Sequence, residues 1–390
     1  MNEYLIAEKK VKKICFVTTI SGTMRSFIVG VASYLHQQAG YNITMICDDD
    51  AAFAASLPPY MHYIPIPMKR GVSLGGIGAM MKMVKVFRRE RFDMVQYSTP
   101  NASLYAALAA AIARIPIRKY HLMGFRYLGF TGLKRNIFKR IEIITCALST
   151  DVECVSFSNR TLGVKEGIFL PQKSNVILHG SSSGVNLTQF DFQKKEMWRN
   201  ELRRQFGYGE HDCVFGYAGR TTGDKGINEL IAAFEKADID NKKLLLVGGI
   251  EQMETLDAGL MQLAENDPRV TFHPPVENIE QYYAALDVFV LPSYREGFGM
   301  VVVEAEAMGV PVIVTDIPGP TDAMIPDETG LVVKKADVAS LVSAMEALAG
   351  SPETRQRFGL AAHKLAAEKF EQQRLFQAIL QDRKRLLGEE

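Results

Sequence analysis

Twelve short, branched, apolar runs alternate with helical stretches along this chain, and that alternation limits the folds open to it. The first six are "KICFVTTI" (13–20), "YNITMICDDD" (41–50), "MHYIPIPM" (61–68), "FDMVQYST" (92–99), "RKYHLMGF" (118–125) and "VECVSFS" (152–158). The second six are "CVFGYAGR" (213–220), "KLLLVGG" (243–249), "RVTFHPP" (269–275), "VFVLPSY" (288–294), "VPVIVTD" (310–316) and "GLVV" (330–333). Strands apolar on both faces belong in parallel sheets, whose crossover helices cover both sides. At 390 residues the chain is also long for a single core. The expected architecture is α/β, with two doubly wound, Rossmann-like domains facing each other across a cleft. The Ser- and Gly-rich "HGSSSGVNLTQF" (179–190) reads as the hinge. Residues 1–185 then form the first domain, 186–365 the second, and 366–390 a helix packing back toward the first.

Charge divides at the same place. Residues 1–185 hold 23 Lys and Arg against 11 Asp and Glu, whereas 186–390 hold 22 against 33, although the whole chain is at +1. A basic half facing an acidic one implies an anionic partner for the first domain, or attraction between domains across the cleft. The five scattered cysteines show no CxxC pair and no metal-ligand spacing, which favours a reducing compartment without structural zinc. "MNEYLIAEKKVKK" lacks the apolar core of a secretory signal, and the Ala-rich 102–117 is too short to span a bilayer. A cytoplasmic location follows as the expectation, with no nucleic-acid partner.

Ligands of doubly wound sheets sit beyond the carboxyl ends of the strands. There "AGRTTGDKG" places Gly219, Arg220 and Lys225 just before a helical stretch, a cationic glycine-rich turn suited to phosphate. "REGFGMVVVEAEAMGVPVIVTD" adds a loop and a helix expected over about 300–308, stopped by Gly309 and Pro311. Glu296 falls on the loop and Glu304 in the second turn, so both can face one ligand. Gly297 and Gly299 let backbone N–H groups approach it. Phosphate-binding cations beside carboxylates that accept from sugar hydroxyls read as a nucleotide-sugar site.

The "GR…DKG" turn, "YYAALDVFVLPS" and "LPSYREGFGMVVVEAEAMGVPVIVTDIPG" resemble the C-terminal half of retaining glycosyltransferases of family 4, which have the GT-B fold. The layout matches over nearly the whole chain, and the Glu296-x7-Glu304 spacing is that family's signature. "HLMGFRY" and "SYREGFG" are most similar to bacterial transferases that build capsule, O-antigen or exopolysaccharide repeat units on polyprenyl diphosphate. The resemblance implies a hexosyl- or N-acetylhexosaminyl-type transferase using a nucleotide sugar, a UDP-sugar foremost, with no cofactor and no metal. Arg220 and Lys225 would bind the donor diphosphate, Glu304 the ribose and Glu296 the transferred sugar. The N–H groups of Gly297, Phe298, Gly299, Met300 and Val301 would meet sugar hydroxyls and a phosphate. Pro275 and Val276 would lie where the base is read, Gly22 beneath the diphosphate and Arg25 toward the acceptor. Where many relatives carry a histidine before Gly-Phe this chain has Met123; strand alternation lets His121 reach the cleft instead, or leaves it a satisfied strand-end histidine. Arg126 would bind an acceptor phosphate or a uronate.

The chemistry so implied is departure of a nucleoside diphosphate and delivery of an acceptor hydroxyl to the same face of the sugar. A nucleotide-sugar 2-epimerase shares the layout but needs no acceptor, and a noncatalytic sugar-nucleotide-binding subunit would not need Glu296, Arg220 and Lys225 together. No GxGxxG with an acidic partner marks an oxidoreductase, and "CDDDAAF" with Asp48 and Asp50 reads as a solvated turn. "MKMVKVFRRERF" (81–92) and "FRYLGFTGLKRNIFKR" (125–140) concentrate the first half's positive charge. The first reads as a helix packing on the sheet. The second is expected to dock peripherally on the inner membrane surface, its bulky apolar groups entering the headgroups and its cations meeting anionic lipid near a glycan or lipid-linked acceptor.

Overall fold

The computed structural model describes residues 11–68 and 74–389. The first ten residues, where a secretion signal was sought, lie outside the described residues. Seven parallel strands form the first sheet: β1 (Lys13–Val17), β2 (Asn42–Cys47), β3 (Met61–Pro65), β4 (Met94–Ser98), β5 (Ile117–Leu122), β6 (Asp151–Cys154) and β7 (Ser174–Asn175). Their order is β3-β2-β1-β4-β5-β6-β7. Six more form the second: β8 (Cys213–Ala218), β9 (Lys242–Val247), β10 (Val270–His273), β11 (Val288–Leu291), β12 (Val312–Thr315) and β13 (Gly330–Val333), ordered β10-β9-β8-β11-β12-β13. Every ladder is parallel, so each connection returns over a face of its sheet, and the order reverses beside β1 and β8. All twelve expected strands form; the two-residue β7 was not anticipated.

Burial follows from this. Ile14, Phe16, Ile43 and Met45 pack one face of the first sheet, and Cys15, Val17, Val95 and Tyr97 the other. The second sheet's two faces share one large core from Val214 and Leu245 to Val302 and Leu341. All five cysteines are buried and unpaired.

After the helix Pro352–Lys369 the chain turns at Phe370 and runs on as Gln372–Leu387. Val185 N–H donates to Phe370 O at 2.8 Å and Gln372 N–H to Val185 O at 3.0 Å, so the linker between the sheets and this turn are tied together. The final helix buries Leu375, Phe376, Ile379 and Leu380 among first-sheet residues. Its Arg383, 1% exposed, donates to Glu153 at 2.8 Å and to Gln96 at 2.9 Å. Buried charge of this kind fixes position more than it adds stability.

Candidate active site

The βα loops of both sheets meet around a cavity that opens to solvent. The first sheet contributes Thr99, Pro100, Tyr120 and Met123 to Arg126; the second contributes Arg220, Asp224, Lys225 and Arg295 to Gly297.

The turn after β8 is shaped by glycine. Gly226 sits at φ +73° where a Cβ would lie 2.1 Å from Pro292 O, so the turn Gly223–Lys225 is pressed against the end of β11. Lys225 Nζ is thereby held 2.5 Å from Glu296 Oε1, which also accepts from Ser293 Oγ at 2.8 Å. Arg220, more exposed, reaches Glu251 at 3.3 Å. Asp224 accepts from Thr222 at 2.6 Å and from Arg295 at 2.9 Å. Burial works against ionisation of Asp224, but the Thr222 hydrogen bond and Arg295 outweigh it and hold the carboxyl below its usual range.

The helix expected at 300–308 runs Met300–Ala307, with Gly299 at φ +90° as its N-cap and no side-chain cap. The first-turn N–H groups are therefore left for backbone or ligand partners. Gly297 is where the sheets touch: a Cβ on it would stand 2.4 Å from Met123 O. Its carbonyl accepts from Asn159 Nδ2 at 2.7 Å and from Ser156 Oγ at 3.0 Å. Nearby, Ser158 donates to Asp322 from its backbone at 3.2 Å and through its hydroxyl.

Of the residues read from sequence, Arg126, Arg220, Lys225, Glu296 and Gly297 line this one cavity. Gly219 leads into it at φ +142°. Glu304 lies outside the lining, half-buried, accepting from Tyr283 at 2.9 Å; burial pushes its carboxyl up, with the tyrosine bond opposing. Phe298 turns its side chain away against Phe370, and Met300 and Val301 form the helix start. Pro275 is exposed and Val276 half-buried beyond β10. Gly22 and Arg25 stand exposed on the helix Ser21–Phe27, outside the cavity lining, Arg25 over the Phe53 ring.

His121 does not reach the cleft. Alternation does put it on the face shared with Lys119, but that face is covered by the C-terminal helix, whereas Tyr120 on the other face and Met123 beyond the strand line the cavity. It is 3% exposed, with Ser98 Oγ 3.1 Å from Nδ1 and Glu153 3.8 Å from Nε2. Burial pushes it down to about 4 despite that carboxylate. Asp48 and Asp50 stay partly exposed, as a solvated turn would, but they also accept from Ser21 N–H at 2.6 Å and Ser21 Oγ at 2.7 Å, and Asp50 caps the helix Ala51–Ser56.

Sequence reasoning missed Arg295, Asp224 and Thr99. Arg295 stands directly before Glu296 in "SYREGFG", a visible signal. Thr99, at φ +73°, precedes a helix with proline at its first position, and its Oγ1 lies 2.7 Å from that of Thr19.

Residues 199–365, the second sheet with most of this loop chemistry, match the family model of glycosyl transferases group 1. The capsular polysaccharide biosynthesis glycosyltransferase CapM of Staphylococcus aureus is 32% identical over 318 residues, covering 80% of this chain and 82% of that protein. The chain belongs to the group 1 glycosyl transferases. Another relative is the UDP-Gal:alpha-D-GlcNAc-diphosphoundecaprenol alpha-1,3-galactosyltransferase of Escherichia coli, 24% identical over 349 residues, with 86% of this chain and 87% of that protein covered. Among solved structures, HepE of Anabaena in complex with UDP and glucose superposes with a TM-score of 0.80 at 20% identity, covering 96% of this chain and all of that one. This glycosyl transferase therefore has the GT-B fold, and the cavity lies between its two Rossmann-like sheets.

Proposed function

We propose that this transferase is a retaining family 4 enzyme that moves a hexosyl or N-acetylhexosaminyl group from a UDP-sugar to a polyprenyl-diphosphate-linked glycan in surface polysaccharide assembly. The observation that carries the reading is the Lys225–Glu296 pair at the cavity wall, beside the helix starting at Met300. It offers a cation for a leaving diphosphate next to a carboxylate for sugar hydroxyls. The activities named for the Staphylococcus and Escherichia relatives, and the UDP and glucose in the HepE complex, support this donor and acceptor chemistry.

In this mechanism the bond between the donor's anomeric carbon and the diphosphate oxygen breaks, and the acceptor hydroxyl oxygen bonds to that carbon from the same face. The hydroxyl proton passes to a leaving phosphate oxygen, and UDP departs. Negative charge grows on the diphosphate, where Lys225, Arg220 and the helix N–H groups are preorganised to meet it. The reading calls on no metal and no other cofactor. Glu304 holds the ribose, and Glu296 orients the transferred sugar. Pro275 and Val276 flank the base.

Among the described residues no helix is long and apolar enough to cross a membrane. The meeting with a lipid-linked acceptor is proposed to be peripheral, at the cytoplasmic face, through the helix Gly132–Leu148.

The test is thermal melting of the purified protein against UDP-, GDP- and other nucleotide sugars, followed by transfer from any stabilising donor and assignment of the product's anomeric configuration. Stabilisation by a UDP-sugar and retained configuration are expected. Inversion, or no stabilisation by any nucleotide sugar, would refute the reading.

A further inference from the structure

The Gly297 carbonyl is held from the first domain, accepting from Asn159 Nδ2 at 2.7 Å and from Ser156 Oγ at 3.0 Å. Both donors are 0% exposed, and neither lines the cavity, whereas Gly297 does. A trans peptide sets its C=O and N–H on opposite sides of the bond. Drawing the Gly297 carbonyl toward Asn159, away from the cavity, therefore turns the Phe298 N–H the other way, toward it. That N–H has no acceptor among the described residues, although Phe298 is 1% exposed and buried N–H groups are almost always paired. The Asn159 amide is directed for its bond to Gly297. Its Oδ1 is buried without a partner among the described residues, and the reverse orientation would set that oxygen against Gly297 O, acceptor to acceptor.

We propose that Ser156 and Asn159 are positioning residues for the transfer: from the first domain they aim the Phe298 N–H at the sugar of the bound donor, so that the hold on that sugar is complete only where the two domains meet. The role rests on the donor site proposed above, in which Glu296, two residues before Phe298, orients the same sugar. Glycine on both sides of Phe298 leaves its peptides free to turn unless something fixes them, and the contact with the first domain supplies that constraint. Lys225 and Arg220, which meet the diphosphate, belong to the second domain and do not depend on it. The product UDP lacks the sugar that this N–H meets, so the contact tells an intact donor from a spent one. Ser158, at the same helix start, also joins the domains: it donates to Asp322 from its backbone at 3.2 Å and through its hydroxyl, and accepts from Gly319 N–H at 2.8 Å. It leaves the Gly297 carbonyl to Ser156 and Asn159, and so separates adhesion between the domains from control of that peptide.

Calorimetry on the full chain tests the two readings separately. UDP, UDP-glucose, UDP-galactose and UDP-N-acetylglucosamine are titrated into wild type; if UDP fails to bind, or all three UDP-sugars do, the donor reading falls and this proposal with it. The tightest-binding UDP-sugar is then compared with UDP. Asn159→Asp keeps the shape of the side chain and removes the donated N–H, and Ser156→Ala removes the hydroxyl. Each is expected to lower the ratio of UDP-sugar to UDP affinity about fivefold, with UDP affinity within about twofold of wild type, as for one lost hydrogen bond. Ser158→Ala removes the hydroxyl bonds to Asp322 and Gly319 and should leave the ratio within about twofold, since the Gly297 carbonyl keeps both donors. Circular dichroism melts identify the folded variants, and where one of the first two does not fold the other carries the comparison. A merely structural role would shift melting without shifting the ratio. An unchanged ratio in the folded variants, a loss of UDP affinity as large as that of the UDP-sugar, an equal fall in Ser158→Ala, or failure of both Asn159→Asp and Ser156→Ala to fold overturns the positioning role and leaves the donor site standing.

Discussion

Lys225 Nζ stands 2.5 Å from Glu296 Oε1, although 71 residues separate the two in sequence. Each side chain is mostly covered, 19% and 14% exposed, so the pair is held in place before any ligand arrives. In the proposed donor site, removing the lysine would delete a charge-assisted contact to the diphosphate and leave Glu296 repelling it. Lys225→Ala is expected to weaken UDP binding by about 1.5–3 kcal/mol. Arg220 is 45% exposed and pairs with the equally exposed Glu251, so Arg220→Ala should cost less. Calorimetry that shows unchanged UDP affinity in both variants would remove the diphosphate assignment.

The two carboxylates of the motif should separate nucleotide from sugar. Glu304→Gln is expected to weaken UDP and UDP-sugar alike, whereas Glu296→Gln should spare UDP and lower turnover. Glu304 also predicts a pH effect. Burial raises its pKa above the usual carboxylate range, so its ionised, accepting form is lost as pH falls through that raised value. UDP affinity should drop on mild acidification in wild type, and the drop should flatten in Glu304→Gln. Equal nucleotide losses in the two variants, or a pH profile that Glu304→Gln leaves unchanged, would contradict this division.

Much of this was legible because parallel strands covered on both faces write themselves as continuous apolar runs. The twelve long ones could be found, whereas β7, two residues carrying a single ladder, has no periodicity to read. The site was legible where chemistry is local, as in "GDKG" and "REGFGMVVVE". It failed where the answer lay in distant packing. Strand alternation gave His121 and Lys119 a common face, but nothing near them in sequence says that Asp382 and Arg383 of the last helix cover it. The partner of Asp48 and Asp50 likewise could not be read locally, since it is Ser21, 27 residues before Asp48.

Glu306 gives a stability prediction independent of function. It is 0% exposed within the second core, and neither carboxyl oxygen has a hydrogen-bond partner among the described residues. Burial raises its pKa well above the model-peptide range. The folded state thus prefers the protonated form. Its contribution is fully present below the unfolded carboxyl pKa, about 4.3, and is lost as pH rises toward the folded value. Glu306→Gln keeps the shape without the proton. Denaturant unfolding should show the variant more stable at pH 8, by about 1–3 kcal/mol, with the gap closing near pH 4. A variant less stable than wild type at pH 8 would show that the ionised carboxyl is stabilised in the fold.

The membrane proposal is sharpened by what the helix Gly132–Leu148 exposes. Aromatic residues of the preceding loop do not point outward: Phe125 and Tyr127 are buried, and Phe130 stacks on Phe138 at 4.7 Å. Arg135 and Lys139 both reach Glu166, at 3.1 and 2.7 Å. What faces solvent is Leu133, 75% exposed, with Ile137 at 48% and Ile144 at 47%. Spaced by four and seven residues, they form one stripe, with Arg140 on it and Lys134 alongside. A helix lying in the headgroup region would bury this stripe and set the two cations against anionic lipid, each worth roughly 1 kcal/mol near the surface. Lys134→Glu with Arg140→Glu should therefore abolish co-sedimentation with phosphatidylglycerol vesicles at low salt. Leu133→Asn with Ile137→Asn should weaken it at low and high salt alike, because apolar insertion is not screened. Neither pair disturbs the Glu166 contacts, so melting temperatures should stay close to wild type. Sedimentation that ignores lipid charge, salt and both double substitutions would mean that the stripe is an ordinary solvated helix face.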